Sequence, residues 1–409
     1  MKKIILSALA VMLLASVSSA GDDFGAALKN GKFSVTAKVF YFNRNYSGGT
    51  GDQEALTAGG YIGYVSDDFN GLKVGATYFT NNSLDIVDRH RNNGTLLLES
   101  PSNKNINLMG EAYLEYNVNK FKIKVGRQIL TTPILNRYEI RALPASHEAA
   151  TIQSSHIPNT TVELGYVNAR THLGSKFGDF EKEESRFGDD GLGYLYVTNK
   201  SIDNLTLRAQ YIKALSDEYN NAGVITKVAV TDYRYADLKY TLPSYGKKTY
   251  ISVNYAGNGY ESQDDSMMFG LKVGTTFGMF NVCAVYAQVF DNNFKYIDHE
   301  ILYTSWQRGY GTHGPSKGLG AMVSFKPMKD LSVLTRFVNV SPDDYSSNAS
   351  GTGKNYANDF TEFNFDTTYA LNDWSKFRVR YANKNVSSAA NSVGQYDVQD
   401  FRLMYCIRF

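Results

Sequence analysis

Cysteine, proline, tryptophan and histidine are scarce in this 409-residue chain, with 2, 8, 2 and 6 copies. Two cysteines, Cys283 and Cys406, cannot build a disulfide framework, and no cysteine metal motif is present. They fall in different predicted strands and on different parities, Cys283 with Val285 and Val289, Cys406 with Arg402, so two separately packed thiols are expected. Net charge is equally sparse. The formal value is +2, near zero without Lys2 and Lys3, which excludes the concentrated basic surface a nucleic-acid binder needs. Beyond the first twenty residues there is no run of about 18 apolar side chains, so spanning a membrane with helices is excluded.

Tyrosine, phenylalanine and glycine are abundant, at 30, 23 and 35 copies. Lys2 and Lys3, an apolar run from Ile4 to Val17 and the small residues Ser18, Ser19 and Ala20 read as a signal peptide over 1–20. The remainder, 21–409, reads as one domain. The closing residues alternate: Phe401, Leu403, Tyr405, Ile407 and Phe409 form an apolar face, while Arg402 and Arg408 lie on the other. A half-buried strand of a soluble protein would show the same pattern, so the rest of the chain must decide.

Segments of about ten residues with period-2 patterning recur throughout. One set falls near 33–44, 71–80, 121–129, 161–170, 205–214, 248–257, 280–290, 331–340 and 376–385. Its partners fall near 55–65, 106–117, 149–156, 190–199, 230–241, 266–276, 318–326, 358–370 and 398–409. Their connections alternate between short and long. Asp67–Asn70, Val118–Lys120, Ser201–Asn204, Pro327–Asp330 and Asn372–Trp374 are short and rich in turn-forming residues. The intervening stretches, such as 81–105, 130–148 and 291–317, are long and read as external loops. The expected fold is therefore all-β: a transmembrane antiparallel β-barrel of about 18 strands, with short periplasmic turns and long extracellular loops. A barrel this wide cannot be filled by its own side chains, so it should hold water and admit solutes.

The segment 129–148 is expected to fold inward as a constriction. It carries Ile129, Leu130, Ile134, Leu135, Ile140 and Leu143, which a water-bathed loop has little use for, together with Arg137 and Arg141. Arg127 leads into it and joins the constriction candidates. Lys122, Lys124, Arg208, Arg336, Arg378, Arg380 and Arg402 sit on polar parity and would guide anions through a low-dielectric channel. Glu111 and Glu115 share polar parity in their own strand and would oppose these cations across the lumen.

In its motifs the chain resembles the OprD-like outer-membrane porins, in their epsilonproteobacterial type. The resemblance rests on Val125-Gly126-Arg127-Gln128 leading into Thr132-Pro133, then Asn136-Arg137, Arg141, Pro144 and His147-Glu148-Ala149, with Phe409 at the end. It implies an eighteen-stranded channel of the bacterial outer membrane with an inward third loop and a basic ladder on one wall. Arg137 and Arg141 would then flank the constriction, and Arg378, Arg380 and Arg402 would be ladder residues. The modest arginine density elsewhere and the wealth of tyrosine depart from that pattern, and favour a broader pore.

The function expected is passive diffusion of small hydrophilic solutes with a bias toward anions or carboxylates; the alternative is a surface-exposed adhesin or receptor barrel. An enzyme is not expected, because Ser146-His147-Glu148 are adjacent in the chain and adjacent residues rarely converge on one substrate. No cofactor is implied. Asp52, Asp264, Asp265, Asp343 and Asp344 are loop carboxylates that calcium would favour, but no spacing makes a calcium loop. The partners implied are outer-membrane lipid and lipopolysaccharide, the solutes themselves and the barrel assembly machinery, with no nucleic acid. Closed symmetry permits a homotrimer.

Overall fold

The computed structural model describes residues 21–48, 51–88, 91, 94–99, 102–171, 180, 187–221, 224–243, 248–261, 263–298, 301–305, 314–342, 359–388 and 395–409. The proposed signal peptide, Asp343, Asp344 and the histidines at 90, 172, 299 and 313 lie outside them.

Period-2 patterning becomes strand wherever the sequence carries it. The first half holds β1 (Lys32–Tyr46), β2 (Gln53–Val65), β3 (Leu72–Ser83), β4 (Ile106–Val118), β5 (Phe121–Gln128), β6 (Ser146–Ser154), β7 (Thr160–Thr171), β8 (Leu192–Asn199) and β9 (Leu205–Ala214). A small separate hairpin, β10 (Glu218–Asn221) and β11 (Val224–Lys227), follows in a stretch expected to be plain loop. The second half holds β12 (Asp232–Leu242), β13 (Thr249–Gly259), β14 (Ser266–Phe277), β15 (Phe280–Asp291), β16 (Ser316–Met328), β17 (Leu331–Pro342), β18 (Phe360–Asn372), β19 (Ser375–Val386) and β20 (Val398–Arg408). Apart from the hairpin these strands form one 18-stranded sheet, each antiparallel to its neighbours in sequence, with β9 passing directly to β12. Pairing of β1 with β20, from Thr36↔Arg408 to Tyr46↔Val398, closes it. Closure leaves no free edge, the condition for sheet structure in hydrocarbon.

The short turns at one rim are tightened by residues in the left-handed region. Asn70, Asn119, Asn159 and Asn204 all have φ between 50° and 63°, a conformation asparagine tolerates better than most side chains. The outward face of the sheet is oily: Val39, Ile62, Leu164, Leu195, Ile251, Phe269, Phe337, Phe363, Phe377 and Leu403 are all exposed. Such a continuous apolar belt belongs against lipid. Among the described residues no helix is long and apolar enough to cross a membrane.

Among the described residues there is one α-helix, α1 (Gly21–Lys29), and it lies at the short-turn end. Ala27 packs with Phe69, Leu72, Phe24 and Tyr116, and the Asp67 amide donates to the Ala27 carbonyl at 2.9 Å.

Two of the long connections fold into the barrel. Leu130, Ile134 and Leu135 from one, and Phe294, Ile297 and Leu302 from the other, join a single apolar cluster with inward residues of β7, β8, β9 and β12 to β15. The second of these connections was expected outside; it turns inward because Phe294, Ile297 and Leu302 have a wall of Ala256, Met268, Ala287 and Val289 to pack on. For the same reason Cys283, Val285 and Val289 point inward, so both buried thiols share the inner face rather than opposite faces.

Candidate pore constriction

The segment between β5 and β6 runs from one side of the barrel to the other. At its start Gln210 of β9 accepts from the Ile134 amide at 2.9 Å and donates to Thr132 Oγ1 at 2.7 Å. Farther along, Lys38 of β1 donates to Glu139 and, at 2.7 Å, to the Ala142 carbonyl. β9 stands eight strands from β1 in the 18-strand ring, almost diametrically across. A chain that touches both crosses the interior. The segment is shorter than expected, because β6 begins at Ser146.

A buried carboxylate ties this segment to the other inward connection. Asp298 accepts from His147 Nε2 at 2.8 Å, from the Asn136 amide at 3.0 Å and from Arg170, and all three ionisable side chains are fully buried. Arg336 of β17, a lumen candidate, supports the second connection by donating to the carbonyls of Tyr303 at 2.8 Å and Ser305 at 2.9 Å.

The basic residues of β19, β20 and β1 come together. Strand register sets Arg380 beside Arg402, Arg378 beside Met404, Lys376 beside Cys406, and Cys406 beside Lys38. Alternate residues rise about 6.6 Å along a strand, so Lys376, Arg378, Arg380 and Lys384 make a ladder up one wall. Lys38, Arg141, Arg378, Arg380 and Arg402 line one recess of about 140 Å³ beneath the crossing segment. Asp366 bridges the ladder from β18, 2.5 Å from Arg378 Nη2 and 3.3 Å from Arg380 Nε. Asp400, fully buried, receives Arg402 Nε at 2.6 Å and Arg44 Nε at 2.9 Å. The Phe42 ring lies 4.7 Å from the Arg44 guanidinium carbon, 5.0 Å from that of Arg141 and 5.2 Å from that of Arg402.

Arg141 donates Nε to the Thr95 carbonyl at 2.8 Å. Its burial, with Arg402 and Arg44 close by, lowers its pKa. A guanidinium nevertheless stays charged at neutral pH. Arg137 Nε lies 2.5 Å from Glu139, and its Nη2 donates to Tyr61 OH at 2.6 Å. Burial pushes the Glu139 carboxyl up, but Lys38 and Arg137 together outweigh it and hold the group below its ordinary value.

The other candidates lie elsewhere. Glu111 accepts from Thr77 at 2.9 Å and from the Ile129 amide at 3.3 Å, so it holds the start of the crossing segment. Glu115 faces Lys73 and Lys124 across neighbouring strands, and the Lys124 ammonium sits 3.5 Å over the Tyr113 ring. Lys122 is set beside Asn117 near the short-turn rim. These side chains stand on β4 and β5, a few strands round from the ladder rather than opposite it. Arg208 is on the far wall, paired with Asp237 of β12. Arg127 is not a lumen residue. Strand alternation puts it on the face of Ile123 and Val125, where its Nε meets Glu148 at 3.1 Å.

Ser146, His147 and Glu148 diverge: Ser146 donates to the Gly110 carbonyl at 2.6 Å, His147 meets Asp298 and Glu148 meets Arg127. Asp52 accepts from the Tyr46 amide and Asp265 pairs with Arg234. Among the described residues no three His, Cys, Asp or Glu side chains form a metal-holding group.

Sequence reasoning missed Lys38, Arg44, Glu139, Asp366, Asp400 and Asp298. The first two were hidden because their face of β1 also carries Phe40 and Phe42, both buried. The two aspartates of β18 and β20 had a signal, since they share parity with Arg378, Arg380 and Arg402 across the register.

A family model described as outer membrane porin, OprD family, matches residues 26–312. No curated protein matches. Among solved structures, OpdQ of Pseudomonas aeruginosa is 17% identical over 94% of this chain and 99% of its own, with a TM-score of 0.75. OccAB2 of Acinetobacter baumannii gives the same identity, coverages and TM-score. OpdK of Pseudomonas aeruginosa is 14% identical over 93% of this chain and 99% of its own, at 0.73. Identities this low speak to the fold, and the fold they share is the closed barrel described above. The family match spans more than half of the residues, and on that ground this chain belongs to the OprD family of outer membrane porins.

Proposed function

We propose that this outer-membrane porin, which passes small hydrophilic solutes by diffusion, favours anions and small carboxylates among them. The observation that carries the reading is the recess on β19, β20 and β1, where cations outnumber carboxylates. Lys38, Arg141, Lys376, Arg378, Arg380 and Arg402 face it, against Glu139 and the flanking Asp366 and Asp400. In a narrow channel with low-dielectric walls such an excess concentrates counter-charged solutes. OpdK was solved with vanillate, whose carboxylate is the group such a wall would hold. The crossing segment 129–145 supports a constriction, because it brings Arg137 and Arg141 toward this wall.

Three narrower readings accompany this one. The run from Val125 to Ala149 supports placing the chain with the epsilonproteobacterial type. The seam at Phe409 supports recognition of the last strand by the barrel assembly machinery. A homotrimer is the closed assembly to test first, by cross-linking in the membrane.

Planar-bilayer recording in a KCl gradient tests the selectivity. The reversal potential should lie on the anion side, and the double variant Arg378→Gln, Arg380→Gln should move it toward cations by about twofold in permeability ratio. A cation-selective pore indifferent to that change would refute the basic filter, and absence of stepwise conductance would refute the channel.

A further inference from the structure

We propose that Glu139 is a built-in counter-ion of the basic recess and sets how strongly the pore discriminates for anions. The inference rests on the anion-favouring reading above and names the residue that limits it. Glu139 stands on the crossing segment, not on the barrel wall, and is the one carboxylate among the described side chains lining the recess. It reaches two cations at once, Lys38 from β1 and Arg137 at 2.5 Å, with Tyr61 OH donating at 3.3 Å.

The other carboxylates differ in kind. Asp366 and Asp400 are held by strand register beside the guanidinia they neutralise, as part of the wall itself. Glu139 approaches Lys38 of the wall from the crossing segment on the lumen side, the direction from which a solute carboxylate would come. Its side chain is 17% exposed, and that of Arg137 is 40% exposed. The pair Lys38 and Arg137 therefore already holds the carboxylate that an incoming anion would supply. Neutralising Glu139 leaves Arg137, the exposed member of the pair, to the solute, with the charge of the buried Lys38 behind it.

A purely structural tether would behave in the opposite sense. Loosening the crossing segment widens the pore, which raises conductance and weakens discrimination, whereas removing a counter-ion strengthens it. Glu139→Gln separates the two, since the amide keeps the size and an acceptor oxygen but not the charge. The anion-to-cation permeability ratio is expected to rise about threefold in 0.1 M salt, with stronger current block by succinate. Glu139→Asp keeps the charge on a shorter arm and should stay at the wild-type ratio.

A fall in the ratio with Glu139→Gln, no change, or an equal rise with Glu139→Asp would each overturn the counter-ion role. The difference between variant and wild type reports on Glu139, while the absolute wild-type ratio reports on the anion-favouring reading, so the two fail separately. Calorimetric titration of the detergent-solubilised barrels with succinate gives the same comparison without ion flow. Tighter binding to Glu139→Gln than to wild type is expected, and equal or weaker binding counts against the proposal.

Discussion

Asp400 shows how a few buried side chains govern one wall of the pore. Its carboxylate is fully buried between Arg44 and Arg402, and Arg141 approaches the same Phe42 ring. Removing one member of a buried ion cluster leaves the others uncompensated, at a cost of about 3–5 kcal/mol. Asp400→Asn should therefore lower the thermal midpoint, read from the heat-induced shift in gel mobility, well beyond Asp366→Asn. The shorter of the two contacts of Asp366 is to an Arg378 side chain that is 37% exposed, where solvent can take over much of the interaction, and the buried Arg380 lies farther off at 3.3 Å. Glu139 carries a pH dependence whose sign follows from its lowered pKa. A carboxyl held below its ordinary 4.5 keeps its negative charge, and its contribution to docking, above that value and loses both as the pH falls through the depressed one. The charged and titratable groups facing it are Lys38, Arg137 and Tyr61, with Glu111 acting on Arg137. The selectivity difference between wild type and Glu139→Gln should persist from pH 7 to about 5 and close only below 4.5. A difference that closes near neutrality would contradict the depressed value. Arg378, Arg380 and Arg402 were legible in the sequence because each alternates with an apolar outward residue. Glu139 was not, since a loop carboxylate has no parity from which to read its direction.

At the level of elements, the strands were legible almost to their ends, and the inward connections only in part. Outward faces such as Phe377, Val379 and Tyr381 must meet lipid, which makes alternation obligatory on most strands. β1 is different. Its inner face carries Phe40 and Phe42 because the crossing segment covers it with Ala142 and Leu143, so apolar residues fall on both sides and the parity of Lys38 is lost to view. The segment 129–145 could be read because its aliphatic residues have no place in water. The connection after β15 escaped notice because Phe294, Ile297 and Leu302 are spread among polar residues, and only folding brings them onto one surface. Asp298 joins the two connections, so Asp298→Asn should undock both, with a loss of about 3–5 kcal/mol from the buried cluster it shares with Arg170 and His147. The barrel has its own strand hydrogen bonds and should persist. The expected result is an assembled barrel with larger, noisier single-channel conductance. Unchanged conductance would show that the connections are held by their apolar contacts alone.

The whole molecule depends on a seam that joins its first and last strands. Eighteen strands in sequence order form a ring only if β1 pairs with β20, and the contact is long, eleven register positions from Thr36↔Arg408 to Tyr46↔Val398. Phe409 extends it by a reciprocal pair of backbone hydrogen bonds with Val35, 3.0 Å and 2.9 Å. Its ring also stacks on Trp374, at 5.5 Å and 21° between planes, in the turn that leads into β19. The side chain thus links β20 to the preceding hairpin, while the backbone links it to β1. Those two contributions can be separated. Phe409→Ala keeps the backbone pair and removes the stack, a loss of about 0.5–1.5 kcal/mol beyond the buried area. Deleting Phe409 also removes two hydrogen bonds, each contributing about 1 kcal/mol net. Because the same seam closes the ring and sets the register of Arg402 against Phe42, while the β19–β20 pairing separately holds Arg402 beside Arg380, weakening the seam acts on assembly before it acts on selectivity. The assembled fraction, measured by heat-modifiable mobility after refolding into lipid vesicles, should fall in the order wild type, Phe409→Ala, deletion. Barrels that do assemble should keep the wild-type reversal potential. A shift in selectivity among fully assembled Phe409→Ala barrels would mean that the β1–β20 pairing alone does not fix the position of Arg402 against Phe42.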